Sequence, residues 1–299
     1  MRTFTITLVS LAAAAPLAAP LAAQHAGMPG MDMHHPTTSV TAAARREIDS
    51  VARAAAPLAS TSAATAAGFR PVFGWIPTMG VHYVAMNRMV KGEQSTLADP
   101  SNLMFSRIAG RDSLVGAAFA YMAPANDSVP PRLFDGAPAW HEHPDLAPPG
   151  QRLVMLHVWF VPSPDGPFAG TNPNLPFWAA GLAAPDSSRM HDSAFSLCVR
   201  KAGLALAEVA DTMSIFPNLA QRADVRPILL AQRDSIRALL PRFRAADQSR
   251  DTAAWERAAT EAAAHWDTIY STYLASARTA FGKQRMERYV AMLLGQHGE

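Results

Sequence analysis

From Phe69 the chain alternates apolar and polar residues with a period of two, and beyond Pro185 the period becomes 3.6. The first texture reads as strands. "VHYVAMNRM" (Val81 to Met89), "NLMFSRI" and "SLVGAAFAYM" alternate, and the last two flank "AGRD", which predicts a hairpin around Gly110. "RLVMLHVWFV" is apolar on both faces, as a central or covered strand must be. Glycine and proline punctuate the region up to the loop-rich "PSPDGPFAGTNPNLPFW". The pattern predicts a small, mainly antiparallel sheet or open barrel over 68–184.

The second texture reads as helices over 185–299. Trp255, Ala259, Ala262, Trp266, Ile269 and Tyr273 step by four and three along one face, and Asp251 stands where a cap belongs. Such regular aromatic spacing is a core stripe rather than a cofactor box. Leu229, Ile236, Leu240 and Phe243 form a similar stripe, which Pro241 is expected to kink or end. Further helices are expected near Asp192 to Asp211 and Gln284 to Leu294. The fold class is therefore α+β, a sheet domain followed by a helical bundle.

Ahead of the sheet, residues 39–67 predict one short helix, capped by Ser39 with Val40, Ile48 and Val51 near one face, and then a linker rich in alanine, serine and threonine. The chain opens "MRTFTITLVSLAAAAPLAAPLAAQ", with one arginine, an apolar run and small residues leading to Gln24. This is the pattern of a secretory signal peptide over 1–23. Pro16 and Pro20 interrupt it too early for a membrane-spanning helix, which needs about 20 apolar residues. Residues 24–38, "QHAGMPGMDMHHP" and its flank, read as a disordered tether. The mature protein is expected to be exported, periplasmic or extracellular, and free of the membrane after cleavage.

Composition removes several classes of function. A net charge of +2 without clustered basic and aromatic residues leaves no nucleic-acid footprint. Cys198 is the only cysteine, so no internal disulfide framework exists, and its helical neighbours Phe195 and Ala202 predict a buried, inert thiol. There is no Gly-x-Ser-x-Gly elbow, phosphate-binding glycine loop or Gly-x-Gly-x-x-Gly, and "HEHPD" lacks both the second histidine and the helix of a zinc-protease motif.

The histidines carry the remaining chemistry. His141 and His143 are two apart in "WHEHP", which on a strand puts both rings on one face about 6.6 Å apart and turns Glu142 the other way. His157 lies inside the apolar run, where an imidazole is costly unless both nitrogens find partners. A metal ion on one nitrogen and a hydrogen bond on the other would satisfy it. His82, in "PTMGVHYVAM", is the fourth candidate. The expectation is a divalent metal, zinc or copper, held by His141, His143 and His157, with His82 completing the set. Three ligands leave an open position for catalysis, whereas four close the site. In a catalytic reading the metal polarises a carbonyl or activates water, with Glu142 or Asp145 as proton acceptor. The competing reading makes His82 and His157 core residues bonded to backbone carbonyls and "HEHP" a surface loop.

Two further readings stay open beside the enzyme. Met28, Met31, Met33, His34 and His35 in the tether offer thioether and imidazole donors that suit copper, as a metal-buffering envelope protein would use. Cleavage after Ala22 would add an amino-terminal copper and nickel site ending in His25. Alternatively the protein is a metal-free interaction module whose helical region binds a protein partner or a second copy.

The His-x-His pair with a later strand histidine resembles the metal-ligand pattern of cupins, though Asp145 follows His143 too closely to stand for that family's glutamate and the interval from Gly150 to His157 is longer than its second motif. The blocks "MGVHY", "WHEH" and "HVWFVPSPDGPF", between Met79 and Phe168, are also similar to a group of uncharacterised secreted bacterial proteins. That likeness covers the sheet region and implies no activity.

Overall fold

The computed structural model describes residues 40–72, 74–89, 96–126, 133–136, 140–142, 147–210 and 215–296. The expected signal peptide and tether lie outside them, as do His143 and Asp145. Six strands form one antiparallel sheet: β1 (Arg70–Pro71), β2 (Val81–Val84), β3 (Asn102–Ile108), β4 (Arg111–Pro124), β5 (His141–Glu142) and β6 (Gln151–Trp159), in the order β1-β2-β3-β4-β6-β5. Helices follow it, so the α+β class holds.

The hairpin between β3 and β4 turns at Ala109 and Gly110, with φ of 49° and 77°, between the paired residues Ile108 and Arg111. Two successive left-handed residues make the turn whose twist matches the flanking strands. The strand expected over Val81 to Met89 is shorter than its alternation suggested. It ends at Val84, and Met86–Met89 closes into one helical turn, α3. A register shift between Met104 and Phe105 places an extra β4 residue opposite β3, and such a bulge bends and twists a sheet locally.

One face of the sheet is covered by the amino-terminal helices. Ala117, Phe119, Leu156 and Val158 pack with Val51 of α1 (Ala42–Ala55), and Leu103 and Phe105 pack with Ala55, Phe69 and Ala64 of α2 (Thr61–Ala66). The cap of α1 is Thr41 rather than Ser39; its hydroxyl accepts the Ala44 N–H at 3.0 Å. The expected linker is largely helical too. Ser60 accepts the Ala63 N–H at 3.1 Å, and the alanines behind it are strong helix formers, so the cap starts α2.

The remaining helices are α4 (Leu175–Ala179), α5 (Ser193–Ala210), α6 (Pro217–Ala220), α7 (Arg226–Ser249), α8 (Thr252–Ser276) and α9 (Ala280–Leu293). Every residue of the expected α8 stripe is buried, and Asp251 caps the helix through the Ala254 N–H at 2.9 Å. In α7 Leu239 joins Leu229, Ile236 and Phe243 in the core, and Leu240 packs against it half-buried. Pro241 does not end that helix. The buried neighbours on either side offset a proline cost of about 3 kcal/mol. Cys198 is half-buried rather than sealed, with its sulfur 3.8 Å from the Thr260 hydroxyl. Ile76 and Met79, in the turn before β2, and Phe177 of α4 belong to the helical core, so sheet and helices share packing. Among the described residues no helix is long and apolar enough to cross a membrane.

Candidate metal centre

The sheet's second face carries the histidines. Pairing sets His82 opposite Met104, Met104 opposite Gly116 and Gly116 opposite Trp159; one row along, Asn102, Ala118 and His157 lie in line. His141 of β5 pairs with Met155, two residues from His157 on the same face of β6. Three strand spacings separate β2 from β6, roughly 14 Å on a flat sheet. Yet the His82 and His157 ring centroids are 5.5 Å apart, far closer than a flat sheet would set them. The His141 and His157 centroids are closer, at 4.8 Å.

Gly116 lets Met104 and the β6 backbone close tightly on β4 beside the cluster. A Cβ there would fall 2.5 Å from the Met104 methyl and 2.5 Å from the Val158 carbonyl oxygen, closer than atoms pack. Ala118 and Ala120 continue the row of small side chains.

All three rings are buried: His157 is 1% exposed, His82 4% and His141 6%. The His157 Nδ1 donates to the Gly170 carbonyl at 2.8 Å, which fixes the tautomer and leaves Nε2 as a bare lone pair. Nε2 is sealed from solvent and, among the described residues, has no hydrogen-bond partner. Burial pushes the His157 imidazole down to about 4, against a smaller upward pull from the Gly170 carbonyl, so the ring is neutral at physiological pH. One nitrogen bonds a backbone carbonyl, as in a core histidine, and the other stays open, as in a ligand.

Neighbouring imidazoles on a tetrahedral zinc ion, with Zn–N near 2.0–2.1 Å, have ring centroids about 5 Å apart, and the two separations here bracket that value. Interplanar angles of 48° and 70° show edge and tilted contact between the rings. Among the described residues, no three histidine, cysteine or carboxylate side chains are set about one point as a metal ion requires. His143, the remaining donor of the expected set, is outside those residues. Glu142 is turned away from the cluster and pairs with Arg152 at 3.0 Å. Sequence reasoning did not find the Gly170 carbonyl, because backbone acceptors carry no residue signature.

The comparisons with known proteins leave this geometry to speak for itself: no family model, no curated protein and no solved structure matches the chain.

Proposed function

We propose that this is an exported metal-binding protein whose sheet domain holds a divalent ion, zinc or copper, through His82, His141 and His157, with His143 as a further donor. The observation that carries the reading is the buried His157 Nε2, left without a hydrogen-bond partner among the described residues while Nδ1 is held by the Gly170 carbonyl. A buried acceptor costs roughly 1–3 kcal/mol when unsatisfied, and a fixed tautomer with a second-shell carbonyl is how metal-bound histidines are oriented. Two more buried imidazoles stand at ligand-like separation from it. The reading requires the rings to turn about their Cβ–Cγ bonds, a soft torsion for histidine. Bound there, the ion would supply Lewis acidity or a structural cross-link, depending on whether a coordination position stays open.

The test is metal analysis of the mature protein, stripped with a chelator and reloaded with zinc or copper(II) alone. One equivalent of metal is expected, lost in His157→Leu and in the His141→Ala, His143→Ala double variant while circular dichroism is unchanged. Absence of stoichiometric uptake by the wild-type protein at micromolar ion would overturn the reading. An exchangeable water on the bound ion favours an enzyme; a saturated four-histidine site favours binding or buffering.

A further inference from the structure

The loop between β6 and α4 touches both ends of the imidazole cluster. Its Gly170 carbonyl accepts from His157 Nδ1 at 2.8 Å. Its Asn172 N–H donates at 2.8 Å to the Thr78 carbonyl, in the turn that delivers His82 into β2. Between these points, the Pro167 carbonyl accepts the Trp159 N–H at 2.8 Å and the Ala169 carbonyl accepts the indole N–H of Trp159 at 2.6 Å. The loop is thus a brace laid from β6 to β2 over the site.

Its tip is fixed from outside the sheet. Arg200 of α5 donates from Nη2 to Asp165 at 2.6 Å, with the arginine side chain 2% exposed and the aspartate 16%. Arg200 Nε also donates to Ser196, one turn earlier on the same helix, at 3.2 Å. A guanidinium this buried is tolerated only with a carboxylate partner, so the position of α5 dictates that of the loop tip. Exposed pairs of the same helix, such as Lys201 with Asp267, join helix to helix and reach no part of the brace.

We propose that Asp165 and Arg200 are a positioning pair for the imidazole cluster: by pinning the brace to the helical region, they hold the Gly170 carbonyl against His157 and thereby set the cluster's affinity for a cation. The affinity half rests on the metal reading above; the positioning half does not.

The test uses the full mature chain, with cobalt(II) alone as spectroscopic probe and nitrogen NMR of the imidazoles in the metal-free state. Asp165→Asn removes the carboxylate. The double variant Asp165→Asn, Arg200→Gln removes both charges, so a folded protein is obtained even if an unpaired arginine is not tolerated. Cobalt affinity is expected to fall roughly 10- to 100-fold, the usual effect of losing outer-shell support, and the His157 Nδ1–H signal to lose its hydrogen-bonded shift. Lys201→Met should move neither. Folded variants that bind cobalt within about twofold of wild type and keep that signal overturn the proposal. Should wild-type protein take up no cobalt, the metal reading fails by itself and the imidazole signal decides the positioning claim: kept in the variants, it sinks the pair's role; lost, it upholds it.

Discussion

Two of the buried polar clusters among the described residues, one in the helices around Glu208 and one on the sheet around His157, are finished differently. In the helices, Glu208 is 1% exposed, and both its oxygens are engaged. Oε1 accepts from the Ile215 N–H at 3.0 Å and the Tyr273 hydroxyl at 3.2 Å; Oε2 accepts from Arg233 at 3.2 Å. On the sheet, His157 is as deeply buried, but one nitrogen has its carbonyl and the other has no hydrogen-bond partner among the described residues. Native interiors pair their polar groups almost without exception. Among the described residues the Glu208 carboxylate is closed by its own chain, with the Arg233 Nε beside it a buried donor lacking a partner, whereas the His157 Nε2 is a buried acceptor left open beside two other imidazoles.

Removing a member of the closed cluster should do the most damage. Arg233→Met leaves Glu208 without its cation, and unfolding in denaturant at pH 8 should show a loss of about 3–5 kcal/mol. Burial already raises the Glu208 carboxyl above its ordinary value of 4.5, with Ile215, Arg233 and Tyr273 opposing. The folded state therefore binds the proton more tightly than the unfolded state. This contribution to stability is complete below that ordinary value and is lost as pH rises through the folded one. The decline should steepen in Arg233→Met and vanish in Glu208→Gln, as denaturation curves across pH will show; an identical pH dependence in all three would mean that Glu208 is not the group responsible.

The open cluster should respond to addition instead. Zinc at a hundred times its dissociation constant should raise stability by about 2.7 kcal/mol in a thermal scan, and no such rise should appear in His157→Leu. Next in size, Gly116→Ala should cost about 1–3 kcal/mol, since the added methyl meets the Val158 backbone next to His157, and it should weaken zinc uptake as β6 shifts. The smallest effect belongs to His157→Leu in metal-free protein, within about 1 kcal/mol of wild type, because losing the bond to Gly170 is offset by relieving a buried unsatisfied nitrogen. A loss there as large as that of Arg233→Met would erase the contrast between the clusters.

Much of the architecture was legible because it is local. The Ala109 and Gly110 turn, the α8 stripe and the Asp251 cap are each written within a few residues, so periodicity and turn chemistry suffice. What escaped is long-range. Glu208 meets Tyr273, Asp165 meets Arg200, and β6 inserts between β4 and β5; no period in the chain announces a partner dozens of residues away. The gathering of His82, His141 and His157 lay between these extremes. Placing them on strand faces named the candidates, but only the strand order and the folded geometry, with β2 and β6 three strands apart and the rings 5.5 Å apart, show that they meet. The break after Val84 escaped for a different reason: "AMNRM" suits a helical turn as well as a strand, and alternation alone does not choose.

His141 belongs to a strand of two residues at the border of the sheet, the shortest kind of element that still shows ladder pairing. Backbone amides at such a border open to solvent exchange long before those of the interior, and an exposed border invites strands from other chains. An ion gripping His141 together with His157 would rivet that border to β6, so that the same event which fills the site would also seal the sheet's seam against fraying and self-association.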